Sequence, residues 1–142
     1  FRVVGNWYDA TKAGELAAGM FDAGVDVVLT IAGGANQGVL AEAQKQGKYV
    51  LWSDSNGYSL APGTVLGSSV LHQDRAAYEK TLLAIDGILP YGSAEEKGVK
   101  EGFVEFVTDD LLYLEHVPAD IRAQLDNVVE DLVSGRLVLA MP

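Results

Sequence analysis

Asp54 is the residue of this sequence best placed to bind a small polar molecule. It follows residues 49–52, an apolar run with strand character, and it opens a polar segment that continues through Ser55 and Asn56. A carboxylate at the end of a strand can accept two hydrogen bonds from a vicinal diol or from ring N–H groups. An Asx turn, which the Asp-Ser-Asn-Gly sequence also suits, is the structural alternative.

Three other polar or glycine-rich segments, residues 5–9, 32–38 and 71–74, also come directly after apolar runs. Because the carboxyl ends of parallel strands meet at one edge of a sheet, ligands bind in the crevice outside that edge. The four segments together therefore predict one composite binding site, built from loops that are far apart in the sequence.

Four residues join Asp54 as ligand-binding candidates, namely Trp7, Gly33, Gly34 and His72. The indole of Trp7 could stack on a flat ligand ring, or it could pack in the core or at a hinge. The glycine pair could bring backbone N–H groups close to a ligand oxygen, or it could simply form a tight turn. His72 could hydrogen-bond a ligand or act as a general base.

The composition excludes several kinds of function. Ten basic residues against twenty acidic ones give a formal charge of -10, and such a surface repels nucleic-acid phosphates and anionic membranes. The chain has no cysteine, and its two histidines, His72 and His116, lie in separate segments, so we expect no metal site. No nucleophile accompanies a base, so we expect neither a catalytic residue nor a cofactor.

The hydrophobic pattern predicts alternating strands and helices. Helical spacing covers residues 10–23, 36–46, 73–86 and 118–134, with Asp9 as the N-cap of the first helix. Strand patterns cover residues 1–4, 25–31, 48–53, 64–71 and 136–139, with an antiparallel pair at 103–107 and 111–114. The β-branched run 25–31 is typical of a strand that is buried on both faces. This order predicts an α/β fold, with a parallel sheet flanked by helices on both faces.

Taken in order, these segments resemble the basic membrane protein family, the substrate-binding lipoproteins of ABC importers. In that family, two periplasmic-binding-protein-like α/β lobes close on a ligand about a hinge. The tail from residue 117 to residue 136 resembles the family's last helix and closing strand. The resemblance rests further on Gly5-Asn6-Trp7-Tyr8-Asp9, Ala32-Gly33-Gly34, Gly47-Lys48-Tyr49 leading to Asp54, and Ser69-Val70-Leu71 before a charged helix.

The resemblance implies that residues 1–142 are the C-terminal part of a longer, bilobal solute-binding protein. Residues up to about 87 would form a ligand-binding α/β lobe, and residues from about 88 would contain a hinge crossing and the C-terminal helix and strand. It further implies a periplasmic or cell-surface location and an ABC importer permease as partner. Membrane attachment would be only through a lipid anchor outside these residues.

The same resemblance assigns roles to the candidate residues. Trp7 would lie near the ring of the ligand, Gly33 and Gly34 would line the pocket between the lobes, and Asp54 would hold ribose hydroxyls. Nucleoside binders of the family commonly have lysine where this chain has His72, and a neutral imidazole offers fewer hydrogen-bond donors. A purine nucleoside is the expected ligand. Riboflavin, whose flat ring and polyol chain suit the same residues, is the alternative.

Two functions of other classes stay open on the sequence. One is a doubly wound enzyme acting on a nucleoside or sugar, with Asp54 and His72 as an acid/base pair. The other is the ligand-sensing domain of a transcription factor. We expect solute binding without catalysis, because the sequence offers hydrogen-bonding groups and an aromatic ring but no nucleophile–base pair.

Overall fold

The computed structural model describes residues 1–139, which divide into two compact units. Unit 1 contains residues 1–69 and 106–118, and unit 2 contains residues 70–105 and the chain from residue 119 onward. The lobe and hinge regions expected for a longer protein stay a prediction.

Helices and strands alternate along most of the chain. None of the helices among residues 1–139 is long and apolar enough to cross a membrane. The helices are α1 (Ala10–Asp22), α2 (Asn36–Gln46), α3 (Gln73–Ile85), α4 (Leu111–His116) and α5 (Ala119–Ser134), and the strands are β1 (Val27–Leu29), β2 (Tyr49–Trp52), β3 (Val65–Leu71) and β4 (Val104–Phe106). All four predicted helices are confirmed, as are the predicted strands at β1, β2, β3 and β4.

The strands form one sheet in the order β1-β2-β3-β4, with β1, β2 and β3 parallel. Val50 pairs with Val65 but Leu51 pairs with Gly67, so β3 carries one extra residue at this point, as in a β-bulge. At β4, residue 72 bonds to residue 103 and residue 107 bonds to residue 68, which is an antiparallel pattern. The predicted α/β class with a mostly parallel sheet is confirmed.

Three predicted strand segments are wrong. Residues 1–4 have no regular secondary structure, and neither do residues 136–139, where Arg136 Nε bonds Asp131 Oδ1 at 2.6 Å and turns the chain back on the end of α5. Residues 111–114 belong to helix α4, because the Asp110 side chain accepts from Leu112 N at 2.8 Å and caps that helix.

The expected burial of both faces is not met at β1. Val28 is buried, but Val27 and Leu29 are 42% and 56% exposed. Alternate residues of a strand point to opposite faces of the sheet. One face of β1 is therefore covered and the other is open among the described residues.

Helices α1 and α2 pack closely because both carry a glycine at the crossing. A Cβ atom added at Gly38 would lie 1.8 Å from the carbonyl oxygen of Ala10, and one added at Gly14 would lie 3.1 Å from the carbonyl oxygen of Gly38. The side chain of Asp9 accepts from Lys12 N at 2.9 Å, which confirms the predicted N-cap of α1. Both helices bury apolar residues, which are Ala13, Ala17 and Phe21 in α1 and Val39, Leu40 and Ala43 in α2.

Tyr58 joins several elements of unit 1 through its buried hydroxyl group. The hydroxyl donates to the carbonyl oxygen of Val107 at 2.9 Å and accepts from the backbone N–H of Ser68 at 3.2 Å. Its ring lies 5.7 Å from that of Tyr113, centroid to centroid. Burial raises the pKa of Tyr58 well above its usual value, so the phenol stays protonated and can donate at neutral pH.

The Tyr58→Phe variant is expected to lose about 1–3 kcal/mol of the free energy of unfolding, because two buried backbone groups lose their partner. Urea denaturation followed by circular dichroism measures this loss. Tyr91→Phe is the matched control, since Tyr91 is 81% exposed and should unfold like the wild type. Equal effects of the two substitutions would contradict the assigned role of the Tyr58 hydroxyl.

Candidate ligand-binding site

The backbone of the loop that contains Trp7 is fixed by the side chain of Asn6. Its amide oxygen Oδ1 accepts from the backbone N–H groups of Tyr8, at 3.1 Å, and Asp9, at 2.7 Å. These bonds fix the turn between the first residues and α1. The Trp7 side chain is 66% exposed, which excludes the alternative of a core tryptophan.

Gly33 and Gly34 lie against Trp7. Gly33 has φ 56, and a Cβ atom there would lie 3.2 Å from the carbonyl oxygen and 3.3 Å from the Cβ of Trp7. A Cβ atom at Gly34 would lie 3.4 Å from the same oxygen, which accepts from Ala35 N at 3.1 Å. The glycines therefore make the tight turn and also allow the close approach of the Trp7 loop.

A cleft of about 320 Å³ opens beside Trp7. It is lined by residues 1–7 together with Ile31 and Ala32, which follow β1. The backbone of Ala32 in this lining is fixed by Asn36, a buried residue whose Oδ1 accepts from Ala32 N at 2.8 Å. The cleft places an exposed indole beside backbone groups at the carboxyl end of a strand.

Asp54 lies at the carboxyl end of β2 in a strained conformation. Its φ of 75 makes it the sole non-glycine residue with positive φ in residues 1–139. Its exposed carboxylate bonds to no other described residue, so Asp54 itself forms no Asx turn, and the Asx turn of this segment is made by Asn56, whose Oδ1 accepts from Tyr58 N. Backbone strain of this kind clusters at functional positions.

Neighbouring strand ends are tied together beside Asp54. The buried hydroxyl of Ser53 donates to the carbonyl oxygen of Thr30 at 2.5 Å, and Thr30 N bonds the carbonyl oxygen of Leu51 at 3.0 Å. The carboxyl ends of β1 and β2 are therefore fixed to each other. Asp54 directly follows Ser53, the residue that bonds the end of β2 to the end of β1.

The loop that carries Asp54 is anchored to α4. Asn56 Nδ2 donates to Asp110 Oδ2 at 2.8 Å, and Asn56 Oδ1 accepts from Tyr58 N at 3.1 Å. The bond from Asn56, followed by that from the backbone of Leu112, lowers the pKa of Asp110. The ionised Asp110 therefore serves as both helix cap and loop anchor, while Asp54 stays free.

His72 belongs to unit 2, where its Nε2 lies 2.8 Å from Oε2 of Glu105. It lines a cleft of about 560 Å³ whose wall also includes Phe103 and Tyr91. The structure thus brings Trp7, Gly33 and Gly34 together and places Asp54 at a strand end of the same unit.

Two lysines in this second cleft are already paired. Lys80 and Lys97 both bond the carboxylate of Glu95, with Lys97 Nζ at 2.8 Å. These two hydrogen bonds lower the pKa of Glu95 to about 2. Lys80 and Lys97 are therefore both engaged in ion pairs with Glu95 in this cleft.

The remaining polar groups give no metal site. Residues 1–139 contain no group of three or more His, Asp or Glu side chains that could hold a metal ion. Asn6 and Asn36 lie in segments that were predicted to build the site, but neither was given a role of its own, and no role was predicted for Ser53 or for Glu105 of unit 2. For Asn6 and Asn36 a signal was available, since asparagine at a loop–helix junction commonly bonds nearby backbone N–H groups.

Nearly the whole chain matches the sequence model of one known protein family. Residues 1–135 match the Bmp family model, described as ABC transporter substrate-binding protein PnrA-like.

Solved structures share the fold. A protein described as a transcriptional activator of the comK gene from Bacillus halodurans superposes with a TM-score of 0.81 at 24% identity, covering 98% of this chain and 47% of that one. An ABC transporter solute-binding protein from Aeropyrum pernix K1 gives a TM-score of 0.82 at 17% identity, covering 98% of this chain and 46% of that one. An ABC transporter solute-binding protein from Conexibacter woesei DSM 14684 gives a TM-score of 0.64 at 19% identity, covering 96% of this chain and 44% of that one. The chain thus spans less than half the length of each.

Proposed function

Since the chain belongs to the Bmp family of PnrA-like ABC transporter substrate-binding proteins, we propose that it is part of the solute-binding component of an importer and binds a nucleoside-like molecule. The observation that carries this proposal is the combination in unit 1 of an exposed indole, Trp7, with a free carboxylate on a strained backbone, Asp54. A flat ring and a vicinal diol are the two groups that such a pair recognises. A purine nucleoside contains both.

In this proposal, each candidate residue has a separate task. Trp7 stacks on the base, and the backbone beside Gly33 and Gly34 lets the ligand approach closely. Asp54 accepts hydrogen bonds from two ribose hydroxyls. An exposed carboxylate without a protein partner suits this task, because the ligand displaces only water from it and no contact within the described residues is lost.

The proposal extends to the longer protein of which this chain would be the C-terminal part. That protein would act outside the cytoplasm, in the periplasm or at the cell surface, held by a lipid anchor that lies outside these residues. It would deliver its ligand to the permease of an ABC importer. The ligand would be held between two lobes.

Riboflavin is the second candidate ligand, since its isoalloxazine ring and polyol chain offer the same two groups. A sensing role is the second candidate class, favoured by the protein described as a transcriptional activator that shares the fold. Both alternatives keep the ligand contacts of Trp7 and Asp54. They differ from the leading proposal in the identity of the ligand or in the process that ligand binding serves.

Isothermal titration calorimetry with adenosine, guanosine, inosine and riboflavin tests the proposal. We expect a purine nucleoside to bind more tightly than riboflavin, and we expect no conversion of the bound nucleoside. Trp7→Ala should weaken nucleoside binding about 5- to 100-fold, the range for loss of one stacked aromatic ring.

Tyr8→Ala is the matched control, because Tyr8 is the adjacent aromatic residue and is 80% exposed. It should bind the nucleoside like the wild type. Tighter binding of riboflavin would replace the leading ligand with the second one. Turnover of the nucleoside that depends on Asp54 and His72 would instead establish the enzyme.

A further inference from the structure

Unit 2 has almost no apolar core of its own. Within residues 1–139, Phe103 is the one buried residue of unit 2, and all the other buried residues belong to unit 1. Even Phe103 is covered by charged groups, since Arg75 Cζ lies 4.4 Å and Lys97 Nζ lies 5.5 Å from the centroid of its ring. Because a folded unit is stabilised by the apolar surface that it buries, unit 2 needs a further covering surface.

Helix α3 of unit 2 carries an apolar stripe that is open to solvent. No residue of α3 is buried, and its half-buried apolar side chains, Ala76 and Leu83, lie on one face. Tyr78, Leu82 and Ile85 lie on another face at the spacing i, i+4 and i+7, which places them in one row. All three are exposed, Tyr78 by 65% and Ile85 by 74%. We call this row the α3 stripe.

Helix α5 of unit 2 is amphipathic, and it too contains no buried residue. An amphipathic helix of a globular protein normally buries its apolar face. In α5, however, Ile121, Val128 and Val133 on that face are exposed. We call this face the α5 stripe, and its apolar residues are Ile121, Leu125, Val128, Val129, Leu132 and Val133.

Arg122 lies within the α5 stripe, one and two turns before Leu125 and Val129. Its Nε atom is buried and has no hydrogen-bond partner among residues 1–139. A buried donor without an acceptor costs free energy, and native structures rarely leave one. The surface that covers α5 is therefore expected to supply an acceptor, such as a carboxylate or a backbone carbonyl oxygen.

We infer that the α3 and α5 stripes form an intramolecular docking surface, which is covered by the part of a longer protein that lies outside residues 1–142. The inference rests on that portion of the proposed function which makes this chain the C-terminal part of such a protein. This chain covers less than half of each solved structure that shares the fold, so those proteins contain enough further chain to supply a cover. The covering surface is apolar and offers an acceptor to Arg122.

A second copy of the same chain is the alternative occupant of these stripes. Each copy has a formal net charge of -10, so electrostatic repulsion would oppose the approach of two copies. A second α5 stripe would also bring another Arg122 guanidinium group and no acceptor side chain. We therefore assign the docking surface to the rest of the longer protein.

Hydrogen–deuterium exchange tests the inference by comparing residues 1–142 with the longer protein produced from the complete gene. We expect the amides of α3 and α5 to exchange about 10-fold or more slowly in the longer protein, because the cover suppresses local opening. The amides of α1 and α2 should change by less than about 2-fold, since these helices already bury apolar residues. Equal exchange of α3 and α5 in the two proteins, or a gene that encodes no further residues, would overturn the inference.

Val128→Lys in the longer protein tests the α5 stripe directly, and Ala123→Lys is the matched control. Val128 lies in the stripe and Ala123 on the polar face, and both are exposed within residues 1–139. Lysine is a good helix former, so neither change should weaken the helix by itself. We expect Val128→Lys to speed amide exchange in α5 about 10-fold, because it places a charge against apolar surface, and Ala123→Lys to change it less than about 2-fold. Equal effects would contradict the role of the stripe.

Sedimentation equilibrium of residues 1–142 distinguishes the two occupants. We expect a monomer at micromolar concentration. A dimer that Val128→Lys dissociates and Ala123→Lys leaves intact would assign the surface to a second copy and overturn the inference.

These measurements separate the docking surface from the proposed ligand, because none of them uses a ligand. If α3 and α5 are covered in the longer protein but no purine nucleoside binds, the proposed ligand fails and the docking surface stands. If a nucleoside binds but the exchange of α3 and α5 is the same in both proteins, the docking surface fails and the proposed function stands.

Discussion

The Asp54→Gly variant is expected to bind a purine nucleoside about 10- to 100-fold more weakly than the wild type while keeping its stability within about 1 kcal/mol. A hydrogen bond to a charged group contributes about 1.5–3 kcal/mol, which corresponds to this loss of affinity. Asp54 is exposed and bonds to no other described residue, so its carboxylate supports no other part of the fold.

The backbone of Asp54 explains why stability should be retained. At a φ of 75, a residue with a Cβ atom is strained by about 1–2 kcal/mol, and glycine is not. Glycine in turn loses more conformational entropy on folding, at a cost of about 0.5–1 kcal/mol. The two terms oppose each other. We therefore expect Asp54→Gly to weaken ligand binding without a large change in the free energy of unfolding.

Calorimetric titration and urea denaturation of the same preparations measure both quantities. Asp54→Asn removes the charge and replaces one acceptor oxygen by a donor amide, while asparagine tolerates positive φ and keeps the shape of the side chain. Asp109→Ala, at an exposed carboxylate of the same unit, is the control for net charge and should bind normally. Wild-type affinity in Asp54→Gly would remove Asp54 from the site.

Gly38→Ala is expected to destabilise the chain by more than about 3 kcal/mol or to prevent its folding. The added Cβ atom would lie 1.8 Å from the carbonyl oxygen of Ala10 and 2.7 Å from its carbonyl carbon. Overpacking usually costs about 1–3 kcal/mol when side chains can move aside, but here the obstacle is backbone. Helices α1 and α2 would have to separate.

The control for this variant is Gly19→Ala in the same helix pair. A Cβ atom at Gly19 would meet nothing within 4 Å, and alanine in a helix is favoured over glycine by about 1 kcal/mol. Gly19→Ala should therefore be as stable as the wild type or more so. Circular dichroism during urea denaturation compares the two. Wild-type stability of Gly38→Ala would contradict the close helix crossing.

The helices were predictable because their ends carry chemical signals. Asp9 caps α1, and Gly47 ends α2 in a left-handed conformation with φ 64. The error at residues 111–114 arose from a short apolar run, whose length does not distinguish strand from helix. Asp110 before that run was the signal for a helix start.

The candidate site was predictable only to the level of individual loops. The strand ends predicted that the segments containing Trp7 and Gly33 lie at one edge of the sheet, and in the structure Ala35 N, next to the glycine pair, bonds the carbonyl oxygen of Trp7 at 3.1 Å. Aspartate is one of the few non-glycine residues that tolerate positive φ, but the sequence alone does not predict that Asp54 adopts it. The pairing of His72 with Glu105 depends on the register of β4, which the sequence pattern does not specify.

The two tryptophans give the protein two separate optical probes. Trp52 is 7% exposed and its Nε1 donates to Ser55 Oγ at 3.3 Å, whereas Trp7 is 66% exposed. Fluorescence from Trp52 therefore reports on the core, and fluorescence from Trp7 reports on the cleft. A neutral quencher such as acrylamide suits this use, because the net charge of -10 would repel iodide. Unfolding and ligand binding can thus be monitored in one cuvette, at two emission wavelengths, without attaching a dye.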